Sequence, residues 1–389
     1  MKYRITTFPL YALFFTFILS CILSITRDDN MLYYLFSLIG IFFVLFEIGL
    51  TKSKAFFRFN TLDAIFLCVF SILISLSLLL RFEPMGFVLL LLFLSILIYF
   101  KVIKLSICRL LKIINITYLF YLILSIISYS GIFLSQQDDL VNSFFVSYGV
   151  VSFETLYGLE GSTASIDSYS TLVLLLNIFL NKSLMKYLFI FITLVVVLWT
   201  ARLTPIVMFL FSIASFIFVR NRFIAIFLIT SIFIAFFAFT FIELYFPYDD
   251  TFVKNIPNTA LLHIATHGRT FIWAEQFKSI SDNFSVVDYL IGNYKYAEVL
   301  IPWGGDGPYA NSHNSFFHLF FRTGITAIIM ILFFIKKVFY NFDRRTFPII
   351  FGIFLSATTN GTIFYVGNPV FLLILIYLTY FYKDYNIIK

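Results

Sequence analysis

Apolar runs of roughly 20 residues recur from one end of the chain to the other, separated by short polar or basic breaks. A run of that length in helical form crosses a hydrocarbon layer of about 30 Å. The pattern predicts spans at about 8–26, 31–50, 62–80, 85–100, 113–134, 169–181, 184–200, 203–219, 223–246, 315–335, 346–364 and 369–382. The expected fold is therefore an all-α polytopic membrane protein of about 12 transmembrane helices, with residues 1–389 forming a single membrane domain. Two longer polar stretches interrupt the series, at 135–168 and 247–314. Long loops inside a compact domain are usually functional. There is no internal repeat and no low-complexity linker.

The distribution of charge orients the series. With the N-terminus inside, 19 of the 27 Lys and Arg residues fall in segments on the cytoplasmic side. Examples are Lys52, Lys54 and Arg58; Lys101, Lys104, Arg109 and Lys112; and Lys336, Lys337, Arg344 and Arg345. This bias follows the positive-inside rule, and moving the register by one helix inverts it. The expectation is a bacterial inner (cytoplasmic) membrane protein with both termini cytoplasmic. Both long loops, and with them the active face, are then periplasmic. Met1-Lys2-Tyr3-Arg4 and the apolar run behind it resemble a signal peptide. No small-residue cleavage site follows, so the segment reads as a retained first helix.

Composition agrees and removes one class. The chain is 61% hydrophobic and 12% charged, with 55 phenylalanines, where a soluble domain carries about a quarter charged residues. The net charge of +7 is explained by cytoplasmic Lys and Arg, so no nucleic-acid partner is expected. Those basic loops also suit anionic membrane lipid. Cys21, Cys68 and Cys108 form neither a disulfide pattern nor a metal spacing.

All four histidines, His263, His267, His313 and His318, crowd into one seventh of the chain. His263 and His267 have the i, i+4 spacing of a helical zinc pair. Gly268 follows at once and no Glu lies between them, so the metalloprotease pattern is absent. Solvated loop histidines are the plainer reading. The pairs Asp28-Asp29, Asp138-Asp139 and Asp249-Asp250 would suit a Mg²⁺-dependent transferase, but read better as solvated loop residues. No metal and no cofactor are expected.

His313 differs. It precedes an apolar run, with Ser312 or Asn311 placed to cap the helix. The positive end of the helix dipole disfavours imidazolium there, and a neutral imidazole at a membrane surface suits a general base. An anionic substrate alongside would oppose that shift. Arg202, in Trp199-Thr200-Ala201-Arg202, sits between two apolar helices with almost no loop. A charge so placed either lines a site or snorkels to the interface. Arg269 follows Gly268, which permits unusual backbone, and its alternative is a surface anchor. Two guanidiniums and a histidine on one face suit an anionic, phosphate-bearing substrate.

These residues carry a resemblance. His313-Asn314-Ser315-Phe316-Phe317, with Gly324 beyond Arg322-Thr323, looks like the His-Asn-Ser motif of the O-antigen polymerase (Wzy) and ligase (WaaL) superfamily. Gly268-Arg269-Thr270-Phe271-Ile272-Trp273 looks like its Gly-Arg-x-x-x-Trp stretch. Thr200-Ala201-Arg202 looks like its Ser/Thr-x-Arg element. The likeness covers mainly 195–330. Ala327 stands where the family often has a second glycine.

The resemblance implies an inverting, metal-independent glycosyltransferase similar in fold to C-type membrane glycosyltransferases. Donor and acceptor would be undecaprenyl-diphosphate-linked oligosaccharides, and a chain-length regulator is a further candidate partner. His313 would be catalytic, Arg202 and Arg269 would bind diphosphate, and Asn314 and Gly268 would support them. A polymerase is favoured over a ligase acting on the lipid A core. A flippase for the same lipid-linked sugar is the alternative from another class. Against it, most charges avoid the spans and no repeat is visible.

Overall fold

The computed structural model describes residues 9–15, 18–19, 31–50, 61–81, 84–129, 145–148, 151–154, 163–200, 203–245, 269–297, 314–359 and 369–383. Its helices follow the apolar runs closely. They are α1 (Met31–Leu50), α2 (Thr61–Arg81), α3 (Pro84–Val102), α4 (Ile107–Tyr129), α5 (Thr163–Phe179), α6 (Lys186–Thr200), α7 (Leu203–Phe218) and α8 (Arg222–Tyr245). After these come α9 (Arg269–Asn283), α10 (Val286–Ile291), a 3₁₀ turn (Tyr294–Ala297), α11 (Ser315–Thr323), α12 (Ile325–Tyr340), α13 (Phe347–Thr359) and α14 (Pro369–Ile376). The last runs into a π turn at Tyr377–Phe381. One antiparallel hairpin, β1 (Phe145–Tyr148) with β2 (Val151–Glu154), pairs Val146 with Phe153 inside the 135–168 loop.

Among the described residues, four helical stretches are long and apolar enough to cross a membrane: Asp63–Arg81, Pro84–Val102, Ile107–Ile127 and Arg222–Tyr245. Five more apolar helices are shorter, such as Lys186–Thr200 and Pro369–Phe381. The helices turn large apolar side chains outward as well as inward. Leu79, Phe191, Phe227 and Leu332 are all exposed. A water-soluble surface does not carry that much contiguous apolar area, so this is a helical protein built for a membrane.

Local chemistry explains the helix ends. Asp63 in the first turn and Arg81 in the last turn of α2 complement the helix dipole at both ends. Pro84 and Pro369 open α3 and α14, where a missing N–H costs nothing. Helices α2 and α12 pack side by side, with the Phe66 and Phe333 rings stacked 3.9 Å apart.

Side-chain contacts sort the helix ends into two sets. At one end Asp63 meets Lys336 and Lys337. There too Arg222 lies over the Phe339 ring, and the Arg344 guanidinium donates to the Phe216 carbonyl. At the other end Arg81 pairs with Asp288, and Ser77 donates to the Arg322 carbonyl. Thr270 donates to Glu243, and Asn314 to the Thr358 carbonyl. The first set holds the basic residues Lys336, Lys337, Arg222 and Arg344, and the second holds described residues that lie in or flank the 247–314 stretch.

The structure redraws three expected boundaries. Helix α5 begins at Thr163, not near 169, because the polar residues Asp167, Ser168 and Ser170 are buried inside the bundle rather than in a loop. Helix α4 begins at Ile107 and draws Arg109 and Lys112 into its opening turns. The span expected at 315–335 is two helices, broken at Gly324, which has φ +58°. A Cβ there would lie 2.6 Å from the Tyr289 carbonyl oxygen, and one on Gly292 (φ +82°) would lie 2.6 Å from the Thr323 nitrogen. Each glycine lets its backbone press against the segment that carries the other.

Candidate functional site

Helix α11 carries part of the candidate site. Its cap is Asn314, rather than Ser312 or Asn311. Asn314 has extended backbone, and its side-chain oxygen accepts from the backbone N–H groups of Phe316 and Phe317 at 2.9 and 3.0 Å. This satisfies two of the donors that every helix start leaves open. Its amide nitrogen donates to the Thr358 carbonyl at 3.1 Å. The side chain is fully buried, so the chain directly after His313 is fixed both to its own helix and to α13.

Helix α9 is brought to the same place. Arg269 is its first residue and is half-buried. The next residue, Thr270, donates to the buried carboxylate of Glu243 at 3.0 Å, which ties α9 to the last turn of α8. Three residues on, Trp273 packs edge-on against Phe236, at 4.9 Å between ring centroids. Phe236 in turn meets Phe317 of α11 at 5.1 Å. The Trp273–Phe236–Phe317 stack thus joins the Gly-Arg-x-x-x-Trp stretch to the His-Asn-Ser helix through one aromatic ring of α8. Aromatic pairs in this geometry each stabilise by about 0.5–1.5 kcal/mol beyond area burial.

The expected residues divide accordingly. Arg269 and Asn314 lie at one end of the bundle, on helices coupled through Phe236. His313, Arg202 and Gly268 lie outside the described residues, as do His263 and His267. Helix α7 begins at Leu203, one residue after Arg202.

His318, the remaining histidine, is half-buried on α11, which at nine residues is about 14 Å long and too short to cross a membrane. Its Nε2 accepts from the Arg322 Nε–H at 3.1 Å, which leaves the ring proton on Nδ1. Burial, with the Arg322 cation adding to it, pushes the imidazole down to about 3. His318 is therefore neutral throughout the physiological range and a poor proton acceptor. Its partner Arg322 lies flat on the Tyr294 ring, 3.7 Å from the centroid, a cation–π contact. These two residues fasten α11 to the 3₁₀ turn.

Three buried carboxylates at this end, Glu243, Asp167 and Asp288, escaped the sequence reading. Glu243 stands in the final turn of an otherwise apolar helix. Asp167 is fully buried one turn inside α5. The neighbouring Ser168 hydroxyl lies 3.5 Å from that of Ser356, two residues before Thr358. Ser168 and Ser356 thus join α5 to α13, and Thr358 joins α13 to the α11 cap at Asn314. Charged groups in such places are costly and usually functional. The signal was present in the sequence as acids beside apolar runs, but Asp167 read as the end of a loop. Among the described residues no three His, Cys, Asp or Glu side chains converge as a metal site would require.

Helix α10 braces this end. Ser285 and Asp288 form a capping box at its start. Asp288 also accepts from Asn293 at 3.0 Å and from Arg81. Burial raises its pKa, but the Ser285 and Asn293 hydrogen bonds and the Arg81 cation outweigh burial and hold it below the usual carboxylate value. Compared with protein-family models, characterised proteins and solved structures, the chain finds no match.

Proposed function

We propose that the chain is a polysaccharide polymerase of the inner membrane, joining undecaprenyl-diphosphate-linked repeat units at its periplasmic face. The fold proposed with it is the twelve-span plan similar to C-type membrane glycosyltransferases. The observation that supports this reading is the coupling of α9 and α11 through Phe236. Two motif stretches, 45 residues apart from Arg269 to Asn314, meet at one end of the bundle through the Trp273–Phe236–Phe317 stack.

In this reading His313 takes the proton from an acceptor sugar hydroxyl as that oxygen attacks the anomeric carbon of the donor glycan. The anomeric C–O bond to the diphosphate breaks, and configuration inverts. Undecaprenyl diphosphate leaves with its new charge held by Arg202 and Arg269. Asn314, with its side chain spent on the α11 cap and on Thr358, holds the chain at His313 in place. Gly268, with the backbone freedom of glycine, is the second supporting residue. No metal and no cofactor enter the scheme.

The test is the surface polysaccharide ladder of a deletion strain complemented with wild type, His313→Ala, Arg202→Ala or Arg269→Ala at matched membrane levels. A single repeat unit on the lipid A core in each variant supports the polymerase and its site. Long chains kept on the lipid carrier, with none on the core, identify a ligase. A normal ladder from all three variants removes these residues from the site.

A further inference from the structure

The opposite end of the bundle carries a second constellation, unrelated to the proposed transfer reaction. Asp63 of α2 is buried, and it is contacted by both Lys336 and Lys337 of α12. Lys337 lies over the Tyr380 ring, 4.0 Å from its centroid. Lys101, at the end of α3, stands within electrostatic range of both Asp63 and Lys337. The Tyr380 hydroxyl is buried in the same place without a hydrogen-bond partner among the described residues.

Donors outnumber acceptors here. Among the described residues, two ammonium groups supply six N–H donors and the phenol a seventh, against a single carboxylate. The missing chemistry is an anion with several oxygens. Neighbouring apolar positions show what such an anion would be attached to. Ile328, Leu332 and Lys336 follow one another at i, i+4 and i+8, and so form one stripe along α12. Ile328 and Leu332 are exposed, as is Ile325 a turn earlier. On the adjoining α2, Ile65, Val69 and Ile72 are exposed in the same manner. From Ile325 to Lys336 the stripe rises about 16 Å, close to the roughly 15 Å depth of one leaflet of hydrocarbon.

We propose that this cluster is a binding site for an anionic phospholipid, whose phosphate headgroup lies on Lys336 beside Lys337 and whose acyl chain lies along Ile325, Ile328 and Leu332. Basic clusters between helices at a membrane surface recognise headgroups in this way. The site needs an anion and an apolar chain together, which sets it apart from a free-phosphate site.

The experiment uses the full chain in nanodiscs of phosphatidylcholine with a minor fraction of phosphatidylglycerol. Native mass spectrometry then counts the lipids retained on release. Wild type should retain phosphatidylglycerol selectively. Lys336→Gln leaves the Lys337–Asp63 pair in place and should lower that retention about tenfold, the scale of one hydrogen bond to a charged group. Lys336→Arg should restore most of it. Leu332→Ser should lower it as well, through the acyl stripe. Equal retention by wild type and Lys336→Gln overturns the site. Stabilisation by inorganic phosphate alone, equal to that by phosphatidylglycerol and unaffected by Leu332→Ser, overturns the lipid assignment in favour of a free anion.

Discussion

Helix α2 carries a charge at each end, and the two ends solve the same problem differently. Arg81 meets Asp288, which is held by a capping box, an asparagine and a close backbone turn. Asp63 meets two flexible lysines, and the rest of the cluster is aromatic faces. The first arrangement fixes a geometry. The second supplies a field of positive charge with loose positions. Fixed geometry suits a site that must align reacting atoms within fractions of an ångström. Loose charge suits attachment to a headgroup. In the proposed reading, the contrast assigns chemistry to the Arg81 end and anchoring to the Lys336 end.

The largest expected effect tests this division directly. His313→Ala should lower the polymer-forming rate by roughly 10²–10⁴, the usual value of a general base. Lys336→Gln should leave the ladder at wild-type length. A ladder shortened equally by both variants would break the contrast.

Next is the glycine contact that docks α10 on the α11–α12 break. Gly324→Val forces a β-branched residue into left-handed backbone, which alone costs roughly 1–3 kcal/mol, and adds a clash with the Tyr289 carbonyl. Thermal unfolding in detergent should show a strongly lowered midpoint. A wild-type midpoint would mean that the break at Gly324 tolerates a side chain.

Asn314→Ala removes the α11 cap and the tie to Thr358. A cap is worth about 1 kcal/mol, and the same melting measurement should show a fall of a few degrees. Activity should fall further than stability accounts for, because the chain after His313 loses its support. Proportional loss of both would leave Asn314 a purely structural residue.

The smallest effect depends on pH. Because Asp288 has a depressed pKa in the fold, its contribution is complete above the ordinary carboxylate value. It is lost as pH falls through the lower folded value. Wild type should therefore lose part of its thermal stability on acidification, while Asp288→Asn starts about 1 kcal/mol lower and changes less with pH. The figure is modest because Arg81 is 36% exposed and water screens the pair. Parallel melting curves across that range would remove Asp288 from the acid response.

Hydropathy made the membrane helices legible, since length and apolarity are properties of the chain itself. The expected 62–80 became Thr61–Arg81, and 223–246 became Arg222–Tyr245. It failed where tertiary contact decides. The polar opening of α5 reads as loop until its partners on α4 and α13 bury it, with Tyr118 bonded to Ser170 and Ser168 close to Ser356. The break at Gly324 is silent in an apolar count because it depends on a backbone angle and on Gly292, 32 positions earlier. Of the candidate site, the motifs gave the neighbourhood of Arg269 and Asn314. They did not give Asp167, Glu243 or the bridging Phe236, which sit on helices the motifs do not touch.

The two charges of α2 also set a timetable. Arg81 finds Asp288 207 positions later, and Asp63 finds Lys337 274 positions later. At about 5–20 residues per second, the ribosome takes on the order of 10–50 s to deliver either partner. During that interval the nascent helix holds a carboxylate at one mouth of the bilayer and a guanidinium at the other, both resting in the interface. The two ion pairs of α2 can therefore close only after α10 and α12 have been made.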